Sequence, residues 1–149
     1  MKHLSKSSKE TSNLAKLFAQ DVLKTKPGTR ALAISFTGEL GAGKTTFIKS
    51  FLRALGVTSR IVSPTFIFSR RYKTIHKTMP AVWHFDVYRL SRAKEVSGIG
   101  LKESLKNPGN LVLIEWAAKI KSILPEGIIW VELKHGAKPN ERHITFNRR

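Results

Sequence analysis

Apolar and polar positions along the chain alternate with two different periods. Residues 10–24, ETSNLAKLFAQDVLK, place Leu14, Leu17, Phe18 and Val22 at helical spacing, which predicts a helix with one buried face. Ser7 followed by Glu10 has the spacing of a capping box at its start. PGTR at 27–30 then punctuates the chain. Residues 31–36, ALAISF, read as a buried strand, and 38–43 as a sharp turn. Helical spacing resumes over 44–55 with Phe47, Ile48, Phe51, Leu52 and Leu55, and Gly56 stops it.

The middle is less regular. Residues 61–68, IVSPTFIF, and 81–88, AVWHFDVY, are apolar or aromatic and β-prone. The polar, basic segment between them reads as a hairpin connection or an exposed loop. Residues 92–106 carry a helical pattern weakened by Gly98 and Gly100. Residues 111–116, LVLIEW, read as a second buried strand, with further strands expected at 128–133 and 142–146. There is no internal repeat. Strand, loop, helix and a later strand ending in an acid predict an α/β architecture. The β-rich middle makes the sheet mixed, with helices covering it.

Composition narrows the functional classes. A chain of 149 residues with 41% hydrophobic content suits one compact domain, residues 1–149. With no cysteine, disulfide scaffolds, thiolate nucleophiles and iron–sulfur clusters are excluded. The N-terminal MKHLSKSSKE lacks the apolar segment of a secretory signal, and no apolar run approaches membrane-spanning length; the cytoplasm is the expected location. The formal net charge is +17, from 27 Lys plus Arg against 10 Asp plus Glu. Such a field attracts phosphates and nucleic acids without making a specific site. The bases are scattered, and neither zinc-finger spacing nor an aromatic-rich RNA-binding signature is present. Contact with RNA is weighed against a merely solvated basic surface.

GELGAGKTT at 38–46 has Walker A spacing: Gly38, four residues, then Gly43, Lys44 and Thr45. The context is the one the mechanism requires, a buried strand before and a helix after. Glycines let the backbone curl so that N–H groups face anionic oxygens, and the following helix adds its N-terminal dipole. The nucleotide-binding stretch is therefore Gly38, Glu39, Leu40, Gly41, Ala42, Gly43, Lys44, Thr45 and Thr46. Lys44 is suited to the β- and γ-phosphates, Thr45 to Mg²⁺ and Thr46 to the α-phosphate. Glu39 is expected to face solvent or to fix the loop. No guanine-reading NKxD motif is present, which favours ATP.

Hydrolysis also needs a metal and a placed water. Glu115 ends the apolar run LVLIEW, so it stands at the carboxyl end of a strand, where it can meet the loop after the first strand. It is the Walker B candidate for Mg²⁺. Asp86, within VWHFDVYRL, is the second unusual acid, suited to water positioning or metal support, or else to an ion pair with Arg89. His84 shares a strand face with Asp86 and is a candidate to orient it or to touch nucleotide, or else a packed core or surface histidine. Arg89 is a candidate phosphate contact. Trp116 reads as packing. SPTF at 63–66 offers the Thr65 hydroxyl near the γ-phosphate in a switch-like loop, or is a simple turn. The histidines show no zinc spacing.

Together, ET at 10–11, GELGAGKTTF at 38–47, SPTF at 63–66, HFDVYRL at 84–90 and IEW at 114–116 resemble the TsaE (formerly YjeE) family. These are bacterial P-loop ATPases required for N6-threonylcarbamoyladenosine in tRNA. The resemblance spans nearly the whole chain and implies a P-loop NTPase fold with a mixed sheet. It implies that Lys44 binds phosphate, that Thr45 and Glu115 hold Mg²⁺, and that Asp86 is a second essential acid. It further implies that Thr11 lies near adenine and that Thr65 sits in a switch. The implied cofactors are ATP and Mg²⁺. The implied partner is a TsaD–TsaB complex whose turnover ATP hydrolysis supports. Two departures stand out. The family often has proline and a second acid after EW, where this chain reads WAAKI at 116–120, and the positive charge is atypical.

Two other functions fit the residues. One is a small P-loop metabolite or nucleotide kinase, for which Arg70, Arg71, Arg89 and Arg92 would supply cations, although no lid helix is evident. The other is an RNA-binding or assembly module that uses ATP only as a structural ligand.

Overall fold

The computed structural model describes residues 1–91 and 93–148. Arg92, a proposed lid cation and the first residue of the helix expected at 92–106, lies outside them. Strands β1 (Lys2–Ser5), β2 (Leu32–Thr37), β3 (Ser69–Lys73), β4 (Ala81–Asp86), β5 (Asn110–Glu115), β6 (Ile129–His135) and β7 (Arg142–Arg148) form one sheet in the order β1-β7-β6-β2-β5-β4-β3. Neighbours among β4, β5, β2 and β6 run parallel, while β1, β3 and β7 each pair antiparallel with their neighbour. The mixed α/β sheet expected from the sequence is the one observed.

The sheet is the middle of three layers. Helices α1 (Ser8–Leu23) and α2 (Lys44–Ala54) cover one face. A 3-10 helix (Ala93–Gly98), α3 (Leu101–Lys106) and a second 3-10 segment (Ala117–Ile123) cover the other. Strand β5 is buried on both sides. Leu111 and Leu113 enter the core under α1 and α2, whereas Val112 and Ile114 enter the opposite one. That is why its sequence is continuously apolar rather than alternating.

Several local expectations are met with corrections. Ser7 caps α1, accepting the Glu10 N–H at 3.1 Å. Glu10 does not close the box on Ser7; its carboxylate accepts the Lys6 N–H instead, at 2.7 Å. The buried stripe of α1 is Thr11, Ala15, Ala19 and Val22, with Leu14 and Phe18 half-buried, and Leu17 is 58% exposed rather than buried. The stripe is rotated because small alanines let α1 approach α2 closely. Phe18 then meets Phe51 and Phe146 at ring-centroid distances of 5.6 and 4.9 Å.

The apolar run at 61–68 is not a strand. Pro64 lacks a donor, Ile67 N–H closes a turn on the Pro64 carbonyl at 3.0 Å, and Phe68 adopts φ 62°. The strand begins at Ser69, inside the basic segment expected to be a connection. The helix expected at 92–106 breaks where Gly100 takes φ 76° as the cap of α3. Strand β1 has no signal in the sequence, because backbone pairing with β7 forms it rather than a hydrophobic face.

Phe47 is fully buried, in contact with the Phe18, Phe36 and Phe146 rings. Phe47→Ala is expected to cost about 3–5 kcal/mol, whereas Leu17→Ala should stay within about 0.5 kcal/mol. Urea unfolding of the two variants checks which face of α1 and α2 packs.

Candidate functional site

All four parallel strands end on the same side of the sheet, and the candidate groups gather there. The chain leaves β2 through the loop 38–43 and enters α2 with Gly43 as its cap at φ 97°. Gly38 adopts φ 137°, and a Cβ there would stand 2.0 Å from the Leu133 carbonyl oxygen, so no side chain fits between this loop and β6. The loop is held from outside by residues that no motif or spacing singles out. His135 Nε2 lies 3.3 Å from the Leu40 carbonyl, and Arg142 donates to the Gly41 carbonyl at 3.3 Å. These partners are far away in the chain, so no local spacing announces them.

Lys44 curls back over this loop. Its Nζ donates to the Gly38 and Glu39 carbonyls, both at 2.7 Å, and lies 4.5 Å from the centroid of the Trp116 ring. Two of the three ammonium donors are thus committed to the backbone. Burial lowers the Lys44 pKa, opposed by the nearby Glu115 and Asp86 carboxylates.

The acids come from adjacent strands. Asp86 and Glu115 are register partners at the ends of β4 and β5, and both are buried. Asp86 accepts from Thr65 Oγ1 at 2.6 Å and from the Tyr88 N–H at 2.9 Å. Ser63 Oγ lies 2.7 Å from Thr65 Oγ1, so the SPTF loop is tied to Asp86 through a chain of hydroxyls. Glu115 Oε1 pairs with His84 Nε2 at 2.8 Å, with both side chains nearly inaccessible. An ionised carboxylate only accepts, which makes Nε2 the protonated ring nitrogen. Nδ1 is buried without a partner.

A cavity of about 520 Å³ unites these groups. Leu40, Gly41, Gly43, Lys44, Thr45 and Thr46 line one side. Thr65, Asp86 and Glu115 line the other, together with Ser63, Tyr88 and Trp116. Gly38, Glu39 and Ala42 shape the loop rather than line the cavity: Ala42 N–H is spent on the Glu39 carbonyl, and the exposed Glu39 carboxylate lies 4.0 Å from His135.

Three expectations need correction. His84 supports Glu115 on the neighbouring strand, not Asp86 on its own, because the β4–β5 register brings it diagonally to that carboxylate. Arg89 makes no ion pair with Asp86; its guanidinium lies over the Phe66 ring at 4.3 Å. Trp116 does more than pack. It takes φ 62°, lies against the tilted Tyr88 ring at a centroid distance of 5.0 Å and forms part of the cavity wall. Thr11 stands apart from the cavity lining, with its hydroxyl 2.8 Å from Ser5 Oγ.

The donor set suits a nucleotide with magnesium. Mg²⁺ is commonly held by one or two carboxylates together with substrate phosphates and water. Glu115, Asp86 and Thr45 line one cavity, and no cluster of three or more His, Cys, Asp or Glu exists among the described residues.

The family model described as "Threonylcarbamoyl adenosine biosynthesis protein TsaE" matches residues 5–144. The chain belongs to the TsaE family. It is 41% identical over 133 residues to the tRNA threonylcarbamoyladenosine biosynthesis protein TsaE of Rickettsia typhi, covering 89% of this chain and 85% of that one. The TsaE of Bacillus subtilis is 39% identical over 92% of this chain and 78% of its own length, and that of Haemophilus influenzae 34% identical over 80% and 73%. The crystal structure of Bacillus subtilis YdiB superposes with a TM-score of 0.75 at 33% identity, covering 98% of this chain and 83% of that one. No described helix is long and apolar enough to cross a membrane.

A lowered amine pKa means that the folded protein holds the Lys44 proton less tightly than the unfolded chain does. The charged form therefore costs folding free energy, and that cost is relieved as pH rises through the folded-state value. The stability difference between the parent and Lys44→Met should therefore shift in the parent's favour as the pH is raised through that value. Thermal melts across pH on both proteins check this.

Proposed function

We propose that this TsaE-family chain is a Mg²⁺-dependent ATPase of tRNA N6-threonylcarbamoyladenosine synthesis. In this reading it hydrolyses ATP to ADP and phosphate to support turnover of a TsaD–TsaB complex, in the cytoplasm. The observation that carries the catalytic part is the meeting of Lys44, Thr45, Asp86 and Glu115 in one cavity over a glycine loop. The TsaD–TsaB partnership and the placement of Thr11 near adenine rest on the family alone.

Each residue has a task that its surroundings support. Backbone N–H groups of the loop and the N-terminus of α2 receive the phosphates. Lys44 keeps one donor beyond its two loop carbonyls and turns it to the β- and γ-phosphates. Thr45 and Glu115 would hold Mg²⁺, and His84 fixes the orientation of Glu115 from below. A metal held there would supply charge neutralisation for the phosphates. Asp86, already held by Thr65 and the Tyr88 backbone, orients the attacking water. Because Thr65 touches Asp86, movement of the SPTF loop is transmitted directly to that acid, which is the physical content of calling it a switch. Arg89, held on Phe66, supports the same loop from outside.

The test is phosphate release from ATP with Mg²⁺, by the chain alone and with TsaD–TsaB. Hydrolysis should rise with the partners. Lys44→Ala should weaken ATP binding by about 10- to 100-fold. Asp86→Asn and Glu115→Gln should lower turnover by about 100-fold or more, with smaller changes in affinity. Transfer of phosphate to a small acceptor, with no partner stimulation, would instead assign the chain to the kinases.

A further inference from the structure

We propose that the exposed edge of the sheet along β3, together with the cleft at its far end, is a track that binds the phosphodiester backbone of RNA. Its choice of RNA among polyanions rests on the proposed place of the chain in tRNA modification.

The argument begins with an imbalance along the chain. Between Glu39 and Asp86 there is no acid, and there are eight Lys or Arg residues. The tertiary structure gathers part of this run on one border. Strand β3 ends the sheet and pairs only with β4. Arg70 faces the same side as its register partner His84, and Arg71 and Lys73 face the side of Trp83 and Ala81. All three cations are exposed, and Lys77 follows in the β3–β4 loop. Among the described residues none of the four takes part in a salt bridge.

The track does not stop at Lys73. Thr78 and Met79 of the same loop line a cleft of about 390 Å³ at the opposite end of the sheet from the nucleotide site. Lys26, Arg30 and Arg148 also line it, against the single acid Glu126. Cations therefore run along the border from the nucleotide-site end of the sheet to its other end. At the nucleotide-site end stands Phe66, 76% exposed, with the Arg89 guanidinium stacked on its ring. An exposed aromatic ring paired with a guanidinium is a surface on which an unpaired base stacks.

A protective role for the charge is the competing explanation. Charged side chains on an edge strand block pairing with another sheet. Lysine is the usual residue for that purpose, whereas two of the three charges on β3 are arginines and no acid lies between Glu39 and Asp86. Elsewhere the surface mixes signs: α1 sets Glu10 and Asp21 among its lysines, and α3 carries Glu103. Uniform sign, exposure and continuity with a second basic cleft favour a polyanion.

The experiment measures anisotropy of a labelled tRNA transcript titrated with the full chain over a series of salt concentrations. Arg70→Gln/Arg71→Gln/Lys73→Gln is compared with Lys9→Gln/Lys16→Gln/Lys49→Gln, which removes the same three charges from exposed positions on α1 and α2. The β3 triple should bind about tenfold or more weakly and show a slope of log affinity against log salt reduced by about 2–3, with the helical triple near the parent. Lys26→Gln/Arg30→Gln/Arg148→Gln should also weaken binding, and it keeps the test open if the β3 triple fails to fold. Equal loss in the edge and helical sets, loss in the helical set alone, or no salt-dependent binding by the parent would overturn the proposal. ATP hydrolysis of the β3 triple separates the two readings. If it persists while RNA binding is unchanged, this proposal fails and the ATPase stands. RNA binding without hydrolysis in the parent would be the reverse.

Discussion

The parallel register of β2, β5 and β4 is the constraint on which the rest depends. Phe36 of β2 pairs with Glu115 of β5, which pairs with Asp86 of β4. Three strands thus end level, and whatever follows or terminates them meets at one border. Ladder hydrogen bonds set this alignment, and cores on both faces reinforce it. A slip of one residue would turn Asp86 and Glu115 to the opposite face and bring Phe85 and Ile114 into their place. The backbone continues the alignment beyond the strands: Trp116 N–H donates to the Phe36 carbonyl, and Val87 N–H to the Glu115 carbonyl.

On that border the electrostatics are prepared rather than relaxed. Lys44 is buried against its own loop, a cost shown by its lowered pKa and partly offset by two carboxylates. Those carboxylates are in turn held by hydrogen-bonding partners, His84 for Glu115 and Thr65 with the Tyr88 backbone for Asp86. No direct salt bridge joins Lys44 to either acid among the described residues. The cation and the anions remain apart, a spacing suited to a ligand carrying phosphate on one side and a divalent cation on the other. The departure at WAAKI fits the same border. Lys119 donates to the Tyr88 carbonyl and lies 4.9 Å from that ring's centroid, bracing the wall beside Trp116.

The glycine loop, its strand and its helix were legible because each depends on neighbours in the chain. Lys44, Thr45, Asp86 and Glu115 were legible as candidates for the same reason, since an acid at the end of an apolar run is unusual wherever it folds. What failed were inferences about partners. Strand periodicity puts His84 on the face of Asp86, but a strand also has a neighbour, and across it lies Glu115. Spacing along the chain offers Arg89 a phosphate or the acid three residues away, while the fold lays its guanidinium over the Phe66 ring. Helical spacing alone places Leu17 in the core, whereas the stripe that packs is centred on Ala15 and Ala19.

The periodicity of the main helices and buried strands, the glycine loop and the two candidate acids can be read from the chain alone. These follow from short-range rules of backbone geometry and burial. Tertiary structure alone decided that basic residues 69–73 form an edge strand while the apolar run before them does not. It also decided that His135 and Arg142 brace the loop, and that His84 holds Glu115. Pairing energy at a sheet edge comes from backbone groups that every residue carries, so side-chain pattern cannot announce it. Contacts between residues a hundred positions apart depend on strand order, which local periodicity does not encode.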